Sequence, residues 1–208
     1  LNLKYKAESV MIFSLPFLMI VSRFMLEFFL LIISISFLTK VIKQKRYLIF
    51  KNSFFLLFLC FYSMLLLSFS FSPEKINTLS ILLYFRFGLY VMALFFFLSE
   101  DPVIINYFLN LIVIIILLLF IDSLIQYYFG QNIIGIKNYE SHRITSFFGD
   151  EQVMGSYVLR LFPFLLLLKN INDERSKVEN YLIYLAIFLS PVIMFLSGER
   201  VAIFLFIL

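Results

Sequence analysis

Long apolar runs recur along this chain from one end to the other, most of them 15 to 20 residues in length. Residues 109–121, for example, contain one Asn and no other polar residue. With 62% hydrophobic residues and a mean hydropathy of +1.00, the chain carries more apolar surface than a water-soluble core could bury. Such runs also lack the alternating pattern of transmembrane barrel strands. We therefore expect an all-α fold, that of a polytopic α-helical integral membrane protein.

The apolar runs predict about eight membrane spans, the first short and the last truncated. They cover residues 10–22, 24–39, 54–71, 79–98, 103–125, 152–168, 181–197 and 200 onward. Residues 10–38 could instead form one long tilted helix, in which Arg23 and Glu27 would pair four residues apart. Because the sequence starts without Met and ends inside an apolar run, we expect it to be a fragment of a longer chain.

Basic residues predict how the chain is oriented in the membrane. They cluster after the second span, at Lys40, Lys43, Lys45, Arg46 and Lys51, and after the sixth, at Lys169, Arg175 and Lys177. Counting spans puts both clusters on one side, and the positive-inside rule makes that side cytoplasmic. Topology thus accounts for the net charge of +4, and we predict no nucleic-acid partner. Residues 126–150 and the turn 197–200 then face outward.

Several kinds of chemistry lack their motifs in this sequence. One Cys (Cys60) and one His (His142) cannot form a disulfide framework or a metal cluster. A Walker A loop, a G-x-G-x-x-G fingerprint and an outward-facing Asp-x-Asp pair are missing as well. We predict no metal, no cofactor and, if the protein is a transferase, a metal-independent reaction.

A polar stretch from His142 to Tyr157 lies at the predicted outer mouth of the sixth span. His142 could act as a general base on a sugar hydroxyl, since an unperturbed pKa of about 6.5 suits proton abstraction, although it could also be an ordinary loop residue. Asp150 and Glu151 precede a helix, where acidic side chains cap free N–H groups. Glu151 is also a candidate substrate-binding residue.

Three arginines, Arg23, Arg86 and Arg160, lie within apolar runs. A central Arg costs about 2.5–3.5 kcal/mol on insertion scales, so each needs a polar partner or a wet cavity. The partner could be an anionic substrate, or it could be Asp122 or Glu27 on another helix. We therefore name Arg86 and Arg160, which lie nearer the middle of their spans, as candidate substrate-binding residues.

Arg143 and Arg200 fall at the predicted outer surface, separated by one inward and one outward span. Two guanidinium groups at headgroup level would suit a diphosphate, because each can hold phosphate oxygens bidentately. Each could instead only snorkel at a helix end. We name both, together with His142, as candidate catalytic residues.

Two stretches resemble the core region shared by O-antigen polymerases and O-antigen ligases. The first is Arg143-Ile-Thr-Ser-Phe-Phe-Gly149-Asp-Glu-Gln-Val-Met-Gly155-Ser-Tyr, which runs into a span with Pro163. The second is Phe195-Leu-Ser-Gly-Glu-Arg200-Val-Ala, which is similar to the family's "[ST]-G-S-R-[GT]-A" element. The two come in the family's order. Ser146 and Glu199 depart from it, since many members have Gly and Ser at those positions.

The resemblance implies a glycosyl transfer at the periplasmic face of the bacterial inner membrane, with an undecaprenyl-diphosphate-linked oligosaccharide as donor. Residues 1–142 would hold the N-terminal spans and the start of a long outer loop, and residues 143–208 the start of the core region. Arg143 and Arg200 match the motif arginines, whose implied role is to bind the diphosphate and stabilise its developing charge. Membrane lipid and other polysaccharide-assembly membrane proteins are further expected partners.

Three functions follow as expectations. The first is a polymerase that joins lipid-linked repeat units into a surface polysaccharide. The second is a ligase that moves the finished glycan to lipid A–core, which would share the same motifs. The third is a transporter or flippase of lipid-linked or anionic substrates, which would also need arginines within the membrane. No internal repeat of the kind typical of transporters is visible in the sequence, and this favours the enzyme.

Overall fold

The computed structural model describes residues 6–71, 78–101, 103–137, 143–171 and 176–208. These residues are almost entirely helical and contain no β-strand, only an isolated antiparallel bridge between Gln131 and Lys137. The all-α prediction is confirmed for this part of the chain. The helices are α1 (Lys6–Val21), α2 (Arg23–Gln44), α3 (Ser53–Ser70), α4 (Thr78–Leu83), α5 (Phe85–Glu100), α6 (Val103–Phe129), α7 (Met154–Ile171), α8 (Lys177–Leu196) and α9 (Arg200–Ile207), with 3-10 turns at Tyr47–Lys51 and Ser146–Phe148.

Four stretches of helix in the described residues are long and apolar enough to cross a membrane, which indicates a membrane protein. They are Phe24–Gln44, Ile81–Glu100, Val103–Phe129 and Lys177–Leu196. Shorter apolar helices cover Ala7–Val21, Ser53–Phe69 and Met154–Leu168. Each predicted span corresponds to helix, but the number of about eight spans stays a prediction.

The chain forms two compact units. The first comprises residues up to 12 together with 24–104, and the second comprises 13–23 together with 105–208. In the first unit the Glu8 carboxylate, on α1, pairs with Lys40 and accepts a hydrogen bond from Ser36, both of which lie in the C-terminal half of α2. The chain must therefore reverse between these residues, and it breaks its helix at Ser22. Of the two alternatives for residues 10–38, the structure has the hairpin.

Aromatic rings dominate the core of the first unit. Phe37, Phe96 and Phe97 are buried with Met92 and Ile33, and Phe37 packs against the rings of Phe50 and Phe96. Rings fill the space between helices with large rigid surfaces at a low entropic cost. An ion pair between Arg46 and Glu100 joins the segment after α2 to the end of α5. The C-terminal ends of α2 and α5 therefore lie at the same end of this unit.

The core of the second unit is aliphatic and lies among α6, α7 and α8. Its buried residues recur at intervals of three, four or seven positions, as helix faces require: Ile112, Ile116 and Leu119 on α6, Val158, Leu161, Leu165 and Leu168 on α7, and Ile183, Ala186 and Ile193 on α8. Helix α7 packs against both α8 and α9. This packing brings the end of α6, the start of α7 and the α8–α9 turn to one end of the unit, where the candidate site lies.

Candidate functional site

Two buried side chains near the end of α6 organise the segment that follows it. Asp122 and Gln126 are one helical turn apart and fully buried, so they lie on the same face. The Asp122 carboxylate accepts a hydrogen bond from the N–H of Ile133 at 2.9 Å, and Gln126 donates to the carbonyl of Ile136 at 3.4 Å. The loop after α6 is therefore folded back onto the helix that precedes it.

The same two side chains also bind the start of residues 143–157, the first of the two stretches that resemble the family. The amide oxygen of Gln126 accepts the backbone N–H groups of Thr145 at 3.2 Å and Ser146 at 2.6 Å, and the Ser146 hydroxyl donates to Asp122. Asn132 donates to the carbonyl of Ser146 at 3.0 Å. Ser146 has a φ of 52°, a conformation that non-glycine residues rarely adopt. These bonds stabilise that conformation and fix the backbone beside Arg143.

A tight turn at Gly149 follows. Gly149 has φ 61° and ψ −123°, and the N–H of Glu151 donates to the carbonyl of Phe148 at 3.1 Å. This is the geometry of a type II′ turn, whose first central position requires glycine. The turn lets the chain reverse from the 3-10 turn at Ser146–Phe148 into the start of α7.

The start of α7 is capped from the α8–α9 turn. The Glu199 carboxylate accepts the N–H of Gly155 at 2.8 Å, the N–H of Ser156 at 3.0 Å and the hydroxyl of Ser156. These are free N–H groups at a helix N-terminus, where negative charge is favourable. The prediction gave this capping role to Asp150 and Glu151. Helix α7 begins only at Met154, beyond both of them, and the carboxylate that binds its first N–H groups is that of Glu199.

Gly155 permits this close approach. A Cβ atom at Gly155 would lie 2.4 Å from the hydroxyl oxygen of Ser197, 3.2 Å from Cβ of Glu199 and 3.3 Å from Cβ of Ala202. The first distance is far below van der Waals contact, so only glycine fits here without displacing the turn or rotating the Ser197 side chain. Gly155 is thus a packing requirement for the contact between α7 and the Glu199 turn.

Arg143 lies against the same turn. The N–H of Ile144 donates to the carbonyl of Leu196 at 3.4 Å, and the side chain of Arg143 passes Gly198 so closely that a Cβ there would be 3.1 Å from Cγ of Arg143. The guanidinium donates to the amide oxygen of Gln152. Gly198 has a φ of 67°, which ends α8 and starts the turn. The two stretches that carry the family resemblance therefore contact each other.

The structure places the predicted site residues of the second unit at or near this end. Arg143 is half-buried and lies beside the turn that leads, two residues later, into Arg200, which is exposed at the start of α9. Glu151 is exposed just before α7. Arg160 is exposed on α7, one turn beyond Ser156 on the same face. His142 lies outside the described residues.

Arg86 belongs to the first unit, on α5. Its guanidinium pairs with the carboxylate of Glu27 on α2 at 2.6 Å and lies over the ring of Phe87, 5.0 Å from the ring centroid. Of the two partners considered from the sequence, a substrate anion or an acidic residue of another helix, the structure supplies the second. Arg86 was a candidate for substrate binding because no partner was evident on its own helix. Glu27, on another helix, is a partner, so this reason no longer applies.

Sequence reasoning missed four polar residues that build the site: Gln126, Asn132, Gln152 and, as the helix cap, Glu199. Asp122 was considered only as a partner for an arginine. The signal that could have been used is the pairing of Asp122 and Gln126 one turn apart inside an apolar helix, because two buried polar groups on one face must find partners. The partner of Glu199, 44 residues away, has no such local signal.

Comparison of this chain with protein-family models, curated proteins and solved structures finds no match.

Proposed function

We propose that this chain belongs to an inner-membrane glycosyltransferase of the O-antigen polymerase type, which joins undecaprenyl-diphosphate-linked oligosaccharide repeat units at the periplasmic face. The observation that carries the proposal is the junction of the two motif-like stretches. Ile144 bonds to Leu196, Arg143 covers Gly198, and Glu199 caps α7. These stretches resemble the family separately, and their contact is what a shared site would require.

The chemistry of the junction supports an anionic donor. Arg143 donates to Gln152, a contact that orients its guanidinium, and Arg200 is exposed at the head of α9. A diphosphate leaving group gains negative charge as the glycosidic bond breaks, so preorganised guanidinium groups would stabilise the transition state more than the ground state. Arg160, one turn beyond Ser156, would add positive charge along the same helix.

The Glu199 cap narrows where the diphosphate would bind. A free helix N-terminus attracts phosphate, but the first N–H groups of α7 already bind the Glu199 carboxylate. An added phosphate would meet that negative charge. In the proposed reaction the donor therefore binds the arginine side chains, and the role of α7 is to hold the Glu199 turn next to Arg143.

The proposal is tested in a strain from which the gene for this chain is deleted. We expect lipopolysaccharide core carrying a single repeat unit, as loss of a polymerase would leave. Bare core with long glycan retained on the lipid carrier would instead assign the ligase reaction. An unchanged ladder with normal lipid-linked intermediates would refute both transfers.

Complementation tests the arginines directly. Arg143→Ala and Arg200→Ala should abolish chain extension while leaving membrane insertion intact, because both residues lie at a loop or a helix end. The corresponding Lys variants should recover only part of the activity, since an ammonium group cannot make the bidentate contact. Lys177→Ala, in the first turn of α8, is the matched control and should complement fully. Full activity of either Arg→Ala variant would remove that residue from the proposed site.

A further inference from the structure

A cavity of about 610 Å³ opens in the first unit, between the segment that follows α2 and the C-terminal half of α5. Its walls combine two kinds of side chain. Lys45, Arg46 and Lys51 contribute basic groups, and Leu48, Ile49 and Phe95 contribute apolar surface. Neither the family resemblance nor the proposed transfer reaction assigns a function to this cavity.

The cavity lies where two helices of membrane-spanning length end. Phe24–Gln44 finishes one residue before Lys45, and Ile81–Glu100 finishes just beyond the wall formed by Phe95 and Phe96. The Arg46–Glu100 ion pair joins these two ends. A cavity at the ends of two spanning helices would lie at the level of the lipid headgroups, on the side that the basic residues predict to be cytoplasmic.

Two of the three basic groups keep their charge available for a ligand. Arg46 is paired with Glu100, but among the described residues no ion pair involves Lys45 or Lys51, and both side chains are exposed. Lys40, farther back on α2, is paired with Glu8. The rim therefore carries two unneutralised positive charges beside an apolar wall.

Lys45 occupies a backbone position that would suit glycine better. Its φ is 52°, and the N–H groups of Lys45 and Arg46 donate to the carbonyls of Ile42 and Val41. This is a Schellman motif, in which the left-handed residue is usually glycine and sometimes asparagine. A lysine there is less favourable than glycine, because its Cβ crowds the following carbonyl oxygen. The chain thus holds a charged side chain at the rim of the cavity in an unfavourable backbone conformation.

An exposed apolar surface continues outward from the rim. Leu48, which lines the cavity, is 75% exposed, its neighbour Tyr47 is 55% exposed, and Phe95 on the facing wall is 60% exposed. A free phosphate would use the lysines and leave this surface uncovered. A molecule with both a phosphate and a hydrocarbon chain would cover both.

We propose that this cavity binds an anionic phospholipid of the predicted cytoplasmic leaflet, with its phosphate held by Lys45 and Lys51 and an acyl chain along Leu48, Ile49 and Phe95. Basic pockets between transmembrane helices on this side are a known form of recognition for anionic lipid headgroups. The site is independent of the proposed glycosyl transfer, since it uses only residues of the first unit.

The test uses the protein purified in neutral detergent, with phosphatidylglycerol as the probe and phosphatidylcholine as the zwitterionic comparison. Retention of each lipid is measured by native mass spectrometry. The variant Lys45→Asn/Lys51→Gln removes both charges, and Asn is chosen at position 45 because it tolerates a positive φ. The control variant Lys137→Gln/Lys177→Gln changes the net charge equally, using exposed lysines of the second unit.

We expect phosphatidylglycerol to be retained in preference to phosphatidylcholine, and the preference to fall about fivefold per lysine removed, or about 1 kcal/mol each. The control variant should keep the preference. An equal fall in both variants would show non-specific attraction to net charge and overturn the proposal. Displacement of the lipid by glycerol phosphate at similar concentration would overturn it too, because the apolar wall would then contribute nothing.

Discussion

Gly155 offers a direct test of how the two motif-like stretches are joined. In Gly155→Ala the new Cβ would lie 2.4 Å from the Ser197 hydroxyl oxygen, whereas ordinary contact begins at about 3.4 Å. Either the turn moves by about 1 Å or Ser197 rotates and gives up its bond to the carbonyl of Met194. Overpacking of this kind costs about 1–3 kcal/mol, and the better helix propensity of Ala returns about 0.5–1 kcal/mol. We expect a net loss of about 1–2 kcal/mol.

The assay is thermal unfolding of the purified protein in detergent, carried out as a double-mutant cycle with Ser197→Ala. Removing the hydroxyl leaves only contacts of 3.2 and 3.3 Å, with Glu199 and Ala202, which small shifts can relieve. Gly155→Ala should therefore cost about 1 kcal/mol less in the Ser197→Ala background than alone. Additive losses, or an unchanged melting temperature for Gly155→Ala, would refute the packing argument.

A matched control separates packing from general effects of replacing glycine. Gly130 has a φ of 72°, and no heavy atom lies within 4 Å of a Cβ placed there. Gly130→Ala should destabilise through backbone strain alone, by about 1–2 kcal/mol. Its cost should be the same with or without Ser197→Ala. Under the proposed function, Gly155→Ala should also reduce chain extension more than Gly130→Ala, because it moves the turn that carries Arg200.

Three further predictions concern the same end of the second unit. Asp122→Leu should lower the melting temperature more than Asp122→Asn, because Leu leaves the Ile133 N–H and the buried Ser146 hydroxyl without their acceptor, whereas Asn keeps an acceptor oxygen. A buried donor left unpaired costs about 1–3 kcal/mol. A reversed order would contradict the hydrogen-bond assignment. Gly149→Ala should cost about 1–3 kcal/mol in the same unfolding assay, since the first central position of a type II′ turn disfavours every residue that has a Cβ atom. Wild-type stability of this variant would argue against that turn. In a Cys60→Ser background, a thiol reagent that does not cross membranes should label Asp150→Cys in intact cells and should spare Ser176→Cys; the opposite pattern would invert the predicted orientation.

Local patterns in the sequence accounted for most of the fold. The apolar runs predicted helix in every region where the structure has a long helix, because a continuous apolar run leaves the backbone no favourable alternative inside a membrane. Boundaries were less well predicted. Residues 79–98 are divided at Tyr84 into α4 and α5, and α2 continues to Gln44, five residues beyond its predicted end. Short-range turn chemistry of this kind is weakly encoded in hydropathy.

The partners of polar residues were not predictable from the sequence. Arg86 had two candidate partners, and only the packing of α2 against α5 selects Glu27. Glu199 looked like a departure from the motif, yet it caps α7 from the α8–α9 turn. In both cases the contact joins residues far apart in the chain. Local patterns in a single sequence do not show which distant residues come together in space.

The sequence by itself thus determined that the chain is helical and apolar enough for a membrane, and it marked residues 143–157 and 195–202 as the stretches richest in candidate functional side chains. Only the tertiary structure decided that these stretches meet, through Ile144 and Leu196 and through the glycines at 155 and 198. The physical reason is that hydropathy acts residue by residue, whereas a site requires several helix ends to converge. That convergence depends on how whole helix faces pack, and helix α7 between α8 and α9 provides it here.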